Sequence, residues 1–316
     1  MSSPLDTLTQ INLDDLVTAF GWENRPLLAS LLQRTFSGPA RKFAGQILEF
    51  DQDLAQTNLA EASRRLMRKH YVKDVYVSGR ENVPANGPVL FLSNHPGMAD
   101  TIGLFAAINR PDLKIIALHR PFLATLANTT RQLFYIDDDP AKRLNAMRQV
   151  SAHLRDGGSV LTFPAGEIEP DPEVYPGARE ALKSWTDSAG VFLRFAPDTK
   201  IVPVLVSGAI WDKTANHWIP RLKRTRFERE KLAAALQLLM LITRNARPNT
   251  VQVRFARPIG LHEVGSTGAQ AIHQIVIERM KELIEHAPKD DGISVLYASQ
   301  ENPASLSNSP SVESVY

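Results

Sequence analysis

The stretch "VLFLSNHPGMAD", residues 89–100, decides how the chain is read. A continuous apolar run from Val89 to Leu92, closed off at once by Pro96-Gly97, predicts a short buried strand. His95 then stands at the C-terminal end of that strand, with a carboxylate five residues further on. In one continuous helix, residues five apart point about 140° away from each other at ~3.6 residues per turn. The Pro-Gly bend removes that obstacle and lets Asp100 fold back towards the imidazole. From Thr101 onward "TIGLFAAI" predicts a buried helix, which makes Asp100 an N-cap as well. From the residues alone both readings stand, a carboxylate that serves the histidine and one that only starts a helix.

Outward from this stretch, β-branched runs alternate with helical ones. "DVYVSG", "PVLFLSN", "LKIIAL", "LFYID", "SVLTF", "KIVPVLV" and "TVQVRFA" read as strands. Between them "DTIGLFAAINR", "DPAKRLNAMRQVSAHLRDG", "PGAREALKSWTDSAGVFLRF" and "FEREKLAAALQLLMLITRN" read as helices. The alternation predicts an α/β fold, a central and mostly buried mixed sheet flanked by helices. Residues 1–70 predict a small N-terminal helical region, with turns at "GWENRP" and "FSGP" and a helix starting at Ser37 with Pro39 in its first turn. The α/β domain is expected over 71–288, and the Ser-, Asn- and Pro-rich stretch 289–316 as a disordered tail. Pro203 inside its strand predicts an edge or a bulge.

Composition narrows the function classes. The 316 residues are 43% hydrophobic and 22% charged, enough for a substantial core in one large domain or two small ones. A formal net charge of +2 argues against a nucleic-acid partner. The chain has no cysteine, which excludes disulfides, a thiolate nucleophile and cysteine-ligated metal. No charged-then-apolar leader and no apolar run of ~18 residues is seen, so the expected location is cytoplasmic, with peripheral contact at the inner face of the membrane. That contact is expected through residues 221–244, where a cationic run joins an apolar segment from Leu232 to Ile242; the alternative there is a core helix behind a basic loop.

A second strand ends like the first. "VLTFPAGE", residues 160–167, runs into Pro-x-Gly with a carboxylate beyond it. In open α/β sheets ligands bind outside the carboxyl ends of strands, so two such ends predict one cleft. Gly166 suits a positive φ or a backbone that approaches a ligand closely. Glu167 either caps the following segment or lines the cleft.

Asn94-His95 with Asp100, then Phe163-Pro164-Ala165-Gly166-Glu167, then Ile201 to Val204 resemble, in order and spacing, the motif blocks of the glycerolipid acyltransferase family. The lead-in "VSGRENVPANGPVLFLSNH" is similar too, and the resemblance spans roughly residues 73–260. It implies transfer of a fatty acyl group from an acyl-CoA or acyl-carrier-protein thioester to a hydroxyl of a lyso-lipid or glycerol phosphate acceptor, with no cofactor and no metal. His95 would be the general base, since an imidazole of pKa ~6.5 suits that task near neutral pH, and Asp100 would orient it. Asn94, Gly166 and Glu167 would contact substrate.

Two departures stand out. The family's second and third blocks carry phosphate-binding arginines where this chain has Asp138 and Ile168. Arg120 and Arg143 are the candidates to replace them, although Arg143 also reads as a solvated helix residue after Asp139-Pro140. Asp137, Asp138 and Asp139 read as a turn and N-cap in preference to a metal site. The missing arginines keep a rival reading open, an inactive lipid-binding or membrane-associated protein on the same scaffold, and an acyl-thioester hydrolase, giving the acyl group to water, is a third.

Overall fold

The computed structural model describes residues 2–137, 139–244, 246–264, 268–286 and 292–297. It opens with α1 (Pro4–Phe20), α2 (Pro26–Gln56) and α3 (Leu59–Leu66), the last running into a π-helical turn over Met67–Tyr71. Ser3 caps α1 by accepting the Asp6 N–H, and Gly21 ends it at φ +71°, where a side chain would be strained. The expected turn at "GWENRP" follows. The expected helix start at Ser37 does not occur, because α2 runs through Pro39 without a break. A proline inside a helix costs about 3 kcal/mol. One continuous buried face, from Leu32 through Phe43, Ile47 and Phe50 to Leu54, offsets that cost.

Eight strands form one sheet: β1 (Asp74–Ser78), β2 (Val89–Ser93), β3 (Leu113–Leu118), β4 (Leu133–Ile136), β5 (Ser159–Thr162), β6 (Lys200–Ser207), β7 (Thr250–Phe255) and β8 (Ile293–Ser294), in the order β4-β3-β5-β2-β6-β7-β1-β8. All seven runs read from the sequence become strands. β2 pairs parallel with β5 and with β6, while β6 pairs antiparallel with β7, so the sheet is mixed as expected. The connecting helices are α4 (Met98–Ile108), α5 (Pro121–Ala124), α6 (Ala127–Thr130), α7 (Pro140–Arg155), α8 (Ala178–Ala181), α9 (Ser188–Phe195), α10 (Asp212–Ala215), α11 (Arg226–Arg244), α12 (Leu261–Val264) and α13 (Ala269–Glu285).

The pleat of β2 explains its continuous apolar run. Val89 and Phe91 belong to one core with Leu8, Phe43, Phe50 and Leu104, whereas Leu90 and Leu92 belong to the other, with Val150, Phe192 and Val276. A strand buried on both faces cannot alternate apolar with polar residues. The first of these cores also joins the N-terminal helices to the sheet.

Two open alternatives are decided and one expectation changes. β6 is an interior strand, so Pro203 is not at an edge; a register irregularity does lie beside it. Val204 pairs with Phe255 but Ile201 bridges to Ile259, which sets Val202 and Pro203 against the three residues 256–258. The Pro203 carbonyl accepts the Ala256 N–H at 2.9 Å, and the absent proline N–H falls where the ladder is already interrupted. In the expected tail, residues 292–297 are ordered against the sheet: β8 pairs with β1, and Val295 and Leu296 are buried in the first core. The rest of that stretch lies outside the described residues. α11 packs one face into the core, with Leu232, Ala233, Leu241 and Ile242 buried and Leu236, Leu238, Leu239 and Met240 half-buried, while Arg221 and Arg224 before it are exposed.

Candidate active site

The three blocks singled out in the sequence sit on three neighbouring parallel strands, β5-β2-β6, whose carboxyl ends open on the same side. Asn94 fastens the middle one. Its Nδ2 donates to the Val206 carbonyl at 2.9 Å and its Oδ1 accepts the Val206 N–H at 2.8 Å, continuing the β2–β6 pairing with a side chain. Asn94 is buried, and both ends of its amide are engaged with β6, so it shapes the site from behind where a substrate contact was expected.

His95 follows, with its Nδ1 2.9 Å from Asp100 Oδ2. Asp100 is fully buried. It is not the N-cap of α4, as expected, but its third residue: the helix starts at Met98, Gly97 holds the cap position, and Asp100 Oδ2 reaches back to the Gly97 N–H at 2.8 Å. Its Oδ1 takes the Thr101 hydroxyl at 2.9 Å and the Thr101 N–H. Asp100 therefore braces the helix start and the imidazole together. A carboxylate only accepts, which puts the ring proton on Nδ1 and leaves the Nε2 lone pair for a substrate. Phe163, at the end of β5, stacks on the imidazole with ring centroids 4.5 Å apart.

Sequence reasoning missed Glu169. This residue is 3% exposed, accepts the His95 N–H at Oε2 (3.1 Å) and the Trp185 indole N–H at Oε1 (2.8 Å), and its own N–H donates to the His95 carbonyl at 2.8 Å. Burial pushes its carboxyl up to about 7, against the pull of those donors. Two residues on, fully buried Asp171 accepts the N–H groups of Glu173, Gly208 and Ile210, and burial raises it to about 6. The loop after β5 is thus stitched to His95 at one point and to the end of β6 at the next. The available signal was the alternation Glu167, Glu169, Asp171, Glu173 around two prolines, an extended segment with more acid than a surface turn needs. For His95, burial disfavours the imidazolium, but the charge and hydrogen bond of Asp100, with the charge of Glu169, outweigh it and hold its pKa above the ordinary histidine value.

The remaining candidates spread outward. Gly166 closes a turn on the Phe163 carbonyl (3.0 Å) at φ +69°, with open space where a Cβ would stand, so its conformation is what calls for glycine. Glu167 is exposed and, with Ile168, Glu169, Lys183 and Arg226, lines a cleft of about 570 Å³. Arg120 is exposed beyond β3, where its charge acts on Asp15 of α1. Arg143 is exposed in the first turn of α7, beyond β4. β3 and β4 lie two and three strands from β2, roughly 10 and 14 Å at ~4.8 Å per strand, so neither arginine shares the strand end that carries His95. Asp139 caps α7, and Asp137 pairs with Lys142 at 3.0 Å; Asp138 lies outside the described residues.

Residues 74–207 match the model of the family described as Acyltransferase. Among curated protein sequences none matches the chain. Among solved structures, the crystal structure of the 1-acyl-sn-glycerophosphate (LPA) acyltransferase PlsC from Thermotoga maritima is similar, with a TM-score of 0.47 and 17% sequence identity over 89% of this chain and 97% of that one. The matched residues begin at β1 and close at the end of β6, taking in the three strands β5, β2 and β6 whose ends carry the His95 site, and this part of the chain is similar to the acyltransferase family.

Proposed function

We propose that the protein transfers a fatty acyl group from an acyl-CoA or acyl-carrier-protein thioester to a hydroxyl of a glycerolipid, lyso-lipid or glycerol phosphate acceptor. The observation that carries this reading is the imidazole held at Nδ1 by a fully buried carboxylate, 2.9 Å away, which leaves Nε2 as the basic nitrogen of the ring. His95 Nε2 takes the acceptor's proton as its oxygen attacks the thioester carbonyl. Asp100 keeps the proton on Nδ1 and stabilises the imidazolium that forms. When the tetrahedral intermediate collapses, the carbon–sulfur bond breaks and the imidazolium returns its proton to the departing thiolate. No acyl-enzyme forms, and the chain has no cysteine to carry one.

Ile168, standing where the family's third block carries an arginine, supports an acceptor that depends weakly on a phosphate. Arg120 and Arg143, the expected replacements, lie beyond β3 and β4 and away from the strand end that carries His95, which favours the same reading. No described helix is long and apolar enough to cross a membrane. The exposed Leu222 beside Arg221 and Arg224, in the part of the 221–244 segment that the core does not use, with the exposed Trp218 just upstream of it, favours contact with an anionic lipid surface ahead of α11.

The test is a panel of phosphorylated and unphosphorylated lyso-lipid and polyol acceptors, offered in anionic and in neutral vesicles with labelled acyl thioesters. His95→Ala should lower kcat about 10²- to 10⁴-fold. A variant that keeps more than a tenth of wild-type kcat sinks the base assignment. Acyl release without any acceptor, unchanged by adding one, would replace transfer with hydrolysis. Equal rates in both vesicle types would remove the lipid-surface contact.

A further inference from the structure

Asp100 holds the ring of His95, and a second buried carboxylate holds its main chain. Glu169 Oε2 accepts the His95 N–H at 3.1 Å while the Glu169 N–H donates to the His95 carbonyl at 2.8 Å, so one residue engages both polar groups of the histidine backbone. Its other oxygen is taken by the indole of Trp185, itself 4% exposed, at 2.8 Å. Both oxygens accept from N–H groups, contacts that favour the ionised form against the cost of its burial; a neutral amide of the same shape would turn a donor towards one of them. An ionised carboxylate buried to this depth costs several kcal/mol unless it is well paired. Joining a loop to a strand end needs no charge. The charge gains a purpose from its place, beside a histidine that becomes positive during the reaction.

We propose that Glu169 is a positioning residue for acyl transfer: it fixes the His95 backbone so that Nε2 meets the acceptor hydroxyl, and its negative charge favours the imidazolium. The proposal rests on His95 acting as the base. Glu169 touches neither Nε2 nor Nδ1, so it acts through His95 alone. A displacement of about 1 Å at the base is enough to cost on the order of a hundredfold in rate.

The experiment compares Glu169→Gln with wild type in the pH profile of kcat/KM and in the imidazole titration of His95 by ¹⁵N NMR, the His95 signal being assigned by its absence in His95→Ala. With the negative charge gone, the acid limb and the His95 titration should both move to lower pH. kcat should fall about ten- to hundredfold with KM within about twofold. A folded Glu169→Gln protein in which neither titration moves would overturn the proposal, whatever its melting temperature. Should that variant not fold, Trp185→Phe removes one donor and keeps Glu169; the same downward shift supports the proposal, and a stationary His95 titration ends it. Full activity in His95→Ala would instead strike the base reading itself, while loss of activity there beside an unmoved titration in Glu169→Gln strikes the positioning role alone.

Discussion

Two strand ends on the same side of the sheet carry nearly the same local signal and use it differently. β2 and β4 each end, pass a proline and enter a helix whose start involves an aspartate. At β4, Asp139 stands before Pro140, is exposed, and accepts the N–H groups of Ala141 (2.8 Å) and Lys142 (3.2 Å). At β2, Asp100 sits three residues inside the corner, is fully buried, and divides its oxygens among Gly97, Thr101 and the ring of His95. β4 ends the strand order, whereas β2 has β5 on one side and β6 on the other. A turn that leaves an interior strand is roofed by the turns of its neighbours, and a carboxylate placed there loses water and must find donors. Depth in the sheet, more than the residue pattern, separates an aspartate that caps a helix from one that equips a histidine.

That contrast breaks first at Asp100. In Asp100→Asn the side chain keeps its shape, but one of its two ends becomes a donor and can no longer accept from Gly97 or from His95 Nδ1. The imidazole then loses the partner that fixes its tautomer. We expect kcat to fall about 10²- to 10⁴-fold with little change in KM. The helix start should weaken at the same time, by roughly 1–3 kcal/mol for a buried group left unpaired. Steady-state kinetics beside urea unfolding separates the two effects. Unchanged kcat in a variant that has only lost stability would make Asp100 a second Asp139.

What was legible before the fold was known follows the same division. Seven strands could be read because each is a short apolar run closed by turn residues, and the sheet order then brought three of the motif-bearing ends together. β8 could not, since two residues, Ile293 and Ser294, in a polar segment carry no periodic signal and gain their place only by pairing with β1. Pro39 misled because a local helix breaker was outweighed by a face of α2 buried against elements far away in sequence. Asn94 was recognised, but as a substrate contact, because an amide beside a motif histidine does not reveal that β6 will lie alongside to absorb it. Glu169 was invisible for the converse reason. An acid between isoleucine and proline reads as loop surface until the closed sheet buries it against Trp185.

The buried acids sharpen the comparison through pH. Glu169 has an ordinary value of 4.5 and is raised to about 7 in the fold. Between those values the native protein holds a proton that the unfolded chain has released, so stability falls as pH rises through the window and levels off above it. A shift of that size corresponds to roughly 3 kcal/mol. The raised pKa of His95 acts in the same direction, with its contribution present at low pH and lost as pH rises through the folded value. Calorimetric melting between pH 4.5 and 7.5 should therefore show a decline that shrinks in Glu169→Gln. A flat wild-type profile, or a decline of equal size in the variant, would contradict the assignment of this cost to Glu169. The ionised form that would serve His95 near neutral pH is the less stable one, a trade that sites with activity often make.

The smallest effect is expected at the other strand end. Asp139→Ala removes two hydrogen bonds to main-chain donors at the start of α7, and loss of an N-cap typically costs ~1 kcal/mol. Pro140, already holding the first helical φ and lacking an N–H, limits the damage. Because Asp139 is exposed and three strands away from His95, kcat and KM for every acceptor should stay within about twofold of wild type. The pairing of this silent change with a disabled Asp100→Asn protein is the outcome the comparison demands. An increase in KM confined to phosphorylated acceptors would show instead that the β4 end, with Arg143 in the first turn of α7, belongs to the acceptor site, and that the cleft extends across the sheet beyond the three strands that hold His95.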